Sequence, residues 1–309
     1  MKNIWTHVYI ALAVFVALFV VGSFYDYQLN QLLFHSKDTF GLVVSTIGTI
    51  PGYGIAAFIG GGCIFLAIKK NYQLVYKILL GALGVVAFGI SVYFSGREFF
   101  GPNGFDYLNI NEWWGLLIAL PVDAAIAFLG YYLTSKSKND RLWILYVALA
   151  AAMLLALVAG TTVIKSIFHR PRYRSIYLFE SEGLYFHEWW EACKDYKDLM
   201  KQFGLVSEEF KSFPSGHASC CSVFMMAAPF IVHLDKKYEK LEIPLFYIGF
   251  AWTLFISFAR LYVGAHFLSD VSMGSMLPIL FFSIARIVYK KFDKPSELLE
   301  KAEEVKTIE

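Results

Sequence analysis

The sequence predicts an all-α integral membrane protein, a polytopic bundle of about eight transmembrane helices. Of its 309 residues, 57% are hydrophobic and only 17% are charged. A soluble domain has roughly 25% charged residues. Apolar runs of about 20 residues, the length that crosses the hydrocarbon core of a bilayer, recur along the chain. The mean hydropathy of +0.53 agrees with this class.

Eight apolar segments are the candidate spans. In chain order they are residues 5–24, 42–68, 75–95, 114–134, 143–165, 217–234, 243–260 and 267–289. The first follows Lys2, and we interpret it as an uncleaved span because it is long and no small-residue cleavage site follows it. The second contains Pro51 and three consecutive glycines from Gly60, so it is predicted to be broken or re-entrant.

Lysines and arginines in the short loops predict the orientation of the bundle. They are Lys69, Lys70, Lys77, Lys136, Lys138, Arg141, Lys236, Lys237, Lys240, Lys290, Lys291 and Lys294. With eight spans, these loops and both termini lie on one side, and the positive-inside bias makes that side cytoplasmic. We therefore expect a multi-pass protein of the plasma or inner membrane with both termini in the cytoplasm.

The segment 170–213 is the long loop of the chain, and it is predicted on the outer side. Because it mixes aromatic with charged residues and shows no repeat, we expect a small ordered cap with a short helix at about 187–203. Residues 290–309 are charged and are expected to be a cytoplasmic tail, either a solvated helix or disordered. The net charge of +2 and the lack of a basic stripe give no indication of nucleic-acid binding.

Three polar clusters lie at the edges of the predicted spans. The first runs from Lys165 to Arg172, the second is Pro214-Ser215-Gly216-His217, and the third contains Arg260, His266 and Asp270. In the predicted topology the fifth and seventh spans end on the outer side, and the sixth and eighth begin there. All three clusters should therefore meet at the outer face.

The cations of the first and third clusters suit the binding of a phosphoryl group. Lys165 and Arg172 are nearly two helical turns apart and would point to one side, unless Pro171 interrupts the helix and Arg172 comes from the loop above it. Arg260 offers a planar fork of donors for phosphoryl oxygens. The alternative is that these cations reach lipid headgroups at the interface.

The second cluster is typical of a turn that enters a helix. Backbone N–H groups at a helix N-terminus attract anions, and the Ser215 hydroxyl would add a donor. His217 would then stand beside a phosphate bound at Ser215 and Gly216. The alternative is that Ser215 serves only as an N-cap.

His266 and Asp270 are four residues apart at the start of the eighth span, a spacing that places both on one helical face. A carboxylate beside a histidine fixes the tautomer of the ring and leaves the other nitrogen to attack. Ionisable residues within or at the end of a span are functional candidates. The alternative is a structural His–Asp pair.

Together the three clusters resemble the motifs of the type 2 phosphatidic acid phosphatase superfamily, which are KxxxxxxRP, PSGH and SRxxxxxHxxxD. Here they read Lys165-SIFHRP-Arg172-Tyr173, Pro214-Ser215-Gly216-His217 and Ala259-Arg260-LYVGA-His266-FLS-Asp270. Tyr173 replaces the proline of the first motif, and Ala259 replaces the serine of the third. Because Arg170-Pro171 is itself an Arg-Pro pair, Arg170 is an auxiliary candidate beside Arg172.

The resemblance implies a helical catalytic core like that shared with vanadium-dependent haloperoxidases, and a role for each residue. His266 would attack phosphorus to form a phosphohistidine, Asp270 would orient it, and His217 would protonate the leaving oxygen and then activate water. The phosphoryl oxygens would be held by Lys165, Arg172, Ser215, the Gly216 amide and Arg260. No metal or cofactor is implied. Losing the hydroxyl at Ala259 would remove one contact to phosphate.

The expected organisation has three parts. Residues 1–142 are N-terminal spans of unknown role, residues 143–289 are the phosphatase-like core, and residues 290–309 are the tail. An outward-facing site at the ends of spans favours a lipid phosphate or pyrophosphate, namely a polyprenyl diphosphate, phosphatidylglycerol phosphate or phosphatidic acid. The resemblance leaves open a lipid phosphotransferase, a glucose-6-phosphatase-like enzyme and a haloperoxidase.

A different class, a non-enzymatic transporter or binder of lipid phosphates, would depend on Asp123 near Pro121 in the fourth span. A buried carboxylate and a helix kink can line a pathway, although the carboxylate can equally be hydrogen-bonded within the bundle. The full set of cations, histidines and aspartate favours the enzyme, because a transporter needs no nucleophile. The cysteines, Cys63, Cys193, Cys220 and Cys221, lack metal-ligand spacing and are predicted to be apolar filler.

Overall fold

A computed structural model describes residues 4–36, 38–100 and 111–293, and these residues form helices without strands. In that part of the chain, eight helical segments are long and apolar enough to cross a membrane. They are Ile4–Leu33, Thr39–Lys69, Leu74–Phe100, Glu112–Lys136, Leu142–Glu182, Gly216–His233, Lys236–Tyr262 and Leu268–Phe292. The predicted class, a polytopic helical membrane protein, is confirmed.

The α-helices of the described residues are α1 (Ile4–Leu33), α2 (Thr39–Gly48), α3 (Ile50–Lys69), α4 (Leu74–Phe100), α5 (Glu112–Lys136), α6 (Leu142–Leu154), α7 (Val163–Phe168), α8 (Tyr173–Phe179), α9 (Tyr196–Phe203), α10 (Gly216–Ala227), α11 (Glu242–Tyr262) and α12 (Leu268–Asp293). A π-helical stretch, Leu155–Thr162, joins α6 to α7. Short 3₁₀ turns at Ala228–His233 and Lys236–Leu241 connect α10 to α11.

The first span extends beyond its predicted end at residue 24, because α1 continues to Leu33. The added turns carry Asp26 and Asn30, polar residues that end the apolar run in the sequence. In the structure both side chains are buried, at 2% and 0% exposure. Their polar partners are Arg170, Ser269 of α12 and the His266 carbonyl group, so the helix continues where hydropathy indicates a stop.

The break predicted in the second span is confirmed. Thr49 separates α2 from α3, and Pro51 lies in the first turn of α3, where proline is tolerated. Glycines of α3 allow close approach of its neighbours. A Cβ atom at Gly61 would lie 1.8 Å from the Ala127 carbonyl oxygen of α5, and one at Gly52 would lie 2.1 Å from that of Cys220 in α10. Small residues of this kind are typical of packed transmembrane helices.

The outward faces of the helices are apolar. Side chains such as Val85 of α4 and Phe128 of α5 are 65% and 69% exposed in the isolated chain. Contiguous apolar surface of this extent is unusual on a soluble monomer. The helices therefore present these faces to lipid, and the protein is an integral membrane protein.

Asp123 is buried within α5, and the Ser91 hydroxyl of α4 donates to its Oδ1 at 2.7 Å. The carboxylate is thus hydrogen-bonded inside the bundle, as one of the two interpretations expected. We predict that Asp123→Asn leaves phosphate release within about twofold of wild type, because the amide oxygen still accepts from Ser91. A large loss of turnover in a folded variant would instead support a pathway role for this residue.

The loop 170–213 folds as an ordered cap around a buried cluster of Tyr173, Ile176, Leu184, Cys193, Phe210 and Phe267. The helix predicted at 187–203 was wrong in its first half, because α9 begins only at Tyr196. Trp189 stacks on Phe213, and its indole N–H donates to Ser23 of α1 at 2.9 Å. These tertiary contacts hold the segment before α9 out of a helix. The expectation for residues 294–309 lies outside the described residues.

The four cysteines are buried free thiols. This agrees with their interpretation as small apolar filler.

Candidate active site

The first cluster bends where α7 ends. His169 follows Phe168 in the left-handed conformation (φ 46°), and its ring stacks on Tyr196. Arg170 and Pro171 follow, so Arg172 is presented from the loop. Of the two predicted geometries, the interrupted helix is therefore the one observed. Lys165 Nζ donates to the Lys211 carbonyl oxygen at 2.7 Å, and Arg172 Nε donates to that of Glu208 at 2.7 Å. Both cations therefore lie beside the segment that leads into α10.

The second cluster forms the entry to α10. Ser215 is the N-cap, and its hydroxyl accepts from the Ala218 N–H at 3.4 Å. The Ser215 N–H donates to the Asp270 carbonyl oxygen at 2.9 Å, which ties this turn to α12. The helices touch here because Gly274 has no side chain: a Cβ atom there would lie 2.3 Å from the Ser215 carbonyl oxygen. Gly216, the first residue of α10, contributes one of the helix's outward N–H groups.

The third cluster is folded back on itself by a glycine. Gly264 adopts φ +63° just beyond the end of α11, a conformation that glycine adopts without strain. The N–H groups of Ala265 and His266 then donate to the Arg260 carbonyl oxygen at 3.0 and 3.3 Å. This reversal explains the Arg-x5-His spacing, because it returns His266 to the end of the helix that carries Arg260.

His266 is held by a hydrogen bond that the sequence did not indicate. Its Nδ1 lies 2.8 Å from the Ser212 carbonyl oxygen, which can only accept, so Nδ1 carries the proton and Nε2 keeps its lone pair. Asp270 Oδ2 is 3.7 Å from the same Nδ1. That oxygen accepts from the Phe267 N–H at 2.8 Å and from the Ser212 hydroxyl. Asp270 and Ser212 therefore fix the ring together.

The charge around His266 favours the neutral ring. His266 is 1% exposed. Burial, reinforced by the positive charges of Arg172, Lys165 and Arg260, holds the pKa of His266 well below its usual value. The ring is thus unprotonated at neutral pH, and it feels the positive charge of all three cations that the motifs predicted for phosphate. The structure brings these five predicted residues together, because His217 also lies near this ring.

His217 faces His266 with 6.5 Å between ring centroids. Its Nε2 lies 3.1 Å from Oε2 of Glu98, near the C-terminal end of α4. No sequence pattern singles out Glu98, although a charged pair, Arg97-Glu98, follows the third predicted span. A carboxylate at this distance stabilises the protonated form of an imidazole. Each histidine of the site therefore has a carboxylate beside it.

Arg170 does not join the three cations. It is fully buried and points to the other side of Asp270, donating from Nη1 to Asp270 Oδ1 at 2.6 Å. Its Nη2 donates to Asp26 Oδ2 of α1 at 3.0 Å. The two arginines of the first motif thus have different neighbours. Arg172 lies near Lys165, whereas Arg170 binds Oδ1 of Asp270, the carboxylate oxygen other than the one near His266.

The two departures from the motif pattern are buried packing positions. Ala259 is 3% exposed and packs with Val44, Cys221 and Ile256. Tyr173 lies in the core of the cap, edge-on to Phe267 at 6.2 Å between ring centroids. Tyr173 therefore packs against Phe267, the residue that follows His266.

Comparison with known proteins agrees with this site. Residues 141–294 match the family model described as the PAP2 superfamily. Phosphatidylglycerophosphatase B of Haemophilus influenzae is 28% identical over 169 residues, which are 50% of this chain and 70% of that protein. No solved structure matches the chain at a significant level. The residues matched by the family model contain all three polar clusters, and the chain belongs to the PAP2 superfamily as a membrane phosphatase of that type.

Proposed function

We propose that this phosphatase hydrolyses a lipid phosphate or lipid pyrophosphate at the outer membrane face through a phosphohistidine on His266. The observation that carries the proposal is the state of His266. Its Nδ1–H is committed to the Ser212 carbonyl oxygen, so Nε2 is the nucleophilic atom. The cations Lys165, Arg172 and Arg260 act electrostatically on this ring and suit the three non-bridging phosphoryl oxygens.

In the first step, His266 Nε2 attacks phosphorus and the bond to the leaving oxygen breaks. His217, in the protonated form that Glu98 stabilises, gives its proton to that oxygen. In the second step, His217 takes a proton from water, whose oxygen attacks phosphorus while the P–N bond breaks. The products are inorganic phosphate and the dephosphorylated lipid, and His217 is again protonated. Ser215 and the Gly216 N–H at the start of α10 add donors for the phosphoryl group.

The position of the site supports a lipid substrate. Arg260 lies in the last turn of the span Lys236–Tyr262, and His217 and Asp270 lie in the first turns of Gly216–His233 and Leu268–Phe292. A phosphate headgroup can enter at such span ends while its acyl or prenyl chains stay in the bilayer. Among the three lipid candidates, the name of the Haemophilus relative favours phosphatidylglycerol phosphate.

The loop lysines support the proposed outer face of the site and the cytoplasmic termini. Lys69 and Lys70, Lys136 and Lys138, and Lys236 and Lys237 all lie at the ends of spans opposite to the site. In this organisation the spans of residues 1–142 pack against the core of residues 143–289, and the tail is cytoplasmic.

The direct experiment is phosphate release by purified protein in detergent with EDTA present. The substrates are phosphatidylglycerol phosphate, phosphatidic acid, a polyprenyl diphosphate and glucose 6-phosphate, and His266→Asn is assayed alongside wild type. We expect release from at least one lipid that is lost in the variant. Release from glucose 6-phosphate alone would favour the sugar-phosphate alternative, and no release from any substrate by folded protein would contradict a hydrolase.

A further inference from the structure

The N-terminal helix α1 reaches the catalytic core through Asp26. This carboxylate is 2% exposed. Its Oδ1 accepts from the Ser269 N–H at 2.9 Å, and its Oδ2 accepts from Arg170 Nη2 at 3.0 Å and from the Ser269 hydroxyl. Ser269 is the second residue of α12, whose N–H has no partner within its own helix. Asp26, which belongs to α1, therefore caps the N-terminus of α12, the helix that carries Asp270.

Arg170 lies between two carboxylates. Its Nη1 donates to Asp270 Oδ1 at 2.6 Å and to the Ser269 hydroxyl at 2.9 Å, opposite the bond to Asp26. Its Nε donates to the His187 carbonyl oxygen at 2.8 Å, and Phe267 covers the guanidinium at 4.2 Å. These hydrogen bonds fix the orientation of the buried guanidinium group. When both carboxylates are ionised, its single positive charge is shared between Asp26 and Asp270, and one unit of negative charge remains.

One turn further along α1, Asn30 reaches the nucleophile's own backbone. Its Nδ2 donates to the His266 carbonyl oxygen at 3.1 Å. Asp26 and Asn30 are four residues apart and share one face of α1. This face of α1 therefore reaches Asp270 through Arg170. It reaches His266 through the His266 carbonyl oxygen.

We propose that Asp26 is a positioning residue of the active site, which acts through Arg170 to set the orientation of Asp270 and the negative charge it presents to His266. The inference rests on the proposed role of His266 as nucleophile. With Asp26 ionised, Asp270 shares Arg170 and keeps part of its charge to stabilise the positive ring that forms on attack. Without that charge, Arg170 neutralises Asp270 more fully, and His266 becomes a weaker base and nucleophile.

The test variant is Asp26→Asn, which keeps the shape of the side chain and an acceptor for the Ser269 N–H but removes the charge. We expect kcat to fall by about ten- to a hundredfold, as for other residues that orient a reacting group. We expect KM and inhibition by inorganic phosphate to change by less than about twofold, because the three cations are untouched. The acid limb of the pH profile of kcat/KM should move to lower pH, because protonated His266 loses stabilisation.

Asp123→Asn is the matched control, since it removes an equally buried carboxylate from a membrane helix away from the site. A kcat of Asp26→Asn within about twofold of wild type would overturn the proposal, as would a loss shared by Asp123→Asn. If Asp26→Asn does not fold, Arg170→Lys decides by the same criteria, because one ammonium cannot replace the fork between two carboxylates. Activity in His266→Asn would instead overturn the proposed function itself.

Discussion

Replacing His266 with asparagine should lower kcat by about four orders of magnitude or more, the loss typical when a nucleophile is removed. Asparagine is the informative substitution because its Nδ2 can still donate to the Ser212 carbonyl oxygen, as His266 Nδ1 does at 2.8 Å. The variant therefore keeps the local hydrogen bond and loses only the atom proposed to attack. Phosphate release from the best lipid substrate, measured beside the melting temperature of the purified protein, checks the prediction.

The control for His266→Asn is the binding of inorganic phosphate. Lys165, Arg172 and Arg260 remain in place, so product inhibition of any residual activity, or phosphate-dependent thermal stabilisation, should persist in the variant. Normal turnover by folded His266→Asn protein would contradict the assignment of the nucleophile.

Replacing His217 with asparagine should have the second largest effect, and the size of the effect should depend on the leaving group. In a single turnover, release of the first product should fall by about 10²–10⁴ for phosphatidic acid, whose alkoxide must be protonated as it leaves. The loss should be much smaller for a polyprenyl diphosphate, whose leaving group is a weakly basic phosphate. Rapid-quench measurements on the two substrates provide the comparison.

The same variant should accumulate the covalent intermediate from the diphosphate, because His217 is also proposed to activate water in the second step. Equal losses on both substrates, with no intermediate, would contradict its role as the general acid and base. Glu98 would then be paired with a histidine that serves only the structure.

The membrane class, the spans and the three clusters follow from local patterns, which explains why the sequence predicted them. Hydropathy placed the spans, and Pro51 indicated the break at Thr49. Motif spacing picked out Lys165, Arg172 and Arg260, which the structure places around His266. The loop geometry of Arg172 was one of two alternatives, and only the left-handed turn at His169 selects it.

What the sequence missed depends on partners distant along the chain. Asp26 and Asn30 indicate the end of a span by hydropathy, but Ser269 of α12 and the His266 carbonyl group provide polar partners that keep them helical and buried. The Ser212 carbonyl group and Glu98 have no local pattern that links them to a histidine. The segment that contains Trp189 resembles a helix in its sequence. It is not helical because Trp189 contacts Phe213 and Ser23, which are distant along the chain. A signal for Asp26 was present, because a carboxylate in an apolar helix is a functional candidate.

The phosphohistidine is the central claim, and trapping it is the most direct test. His217→Asn protein would be mixed with a polyprenyl diphosphate carrying a radiolabelled terminal phosphate, quenched in alkali and digested. The account predicts a label that is stable in alkali, lost in acid and confined to the peptide that contains His266, with none in the His217→Asn/His266→Asn double variant. Turnover of the diphosphate by wild type without label on His266, or label on another residue, would contradict it.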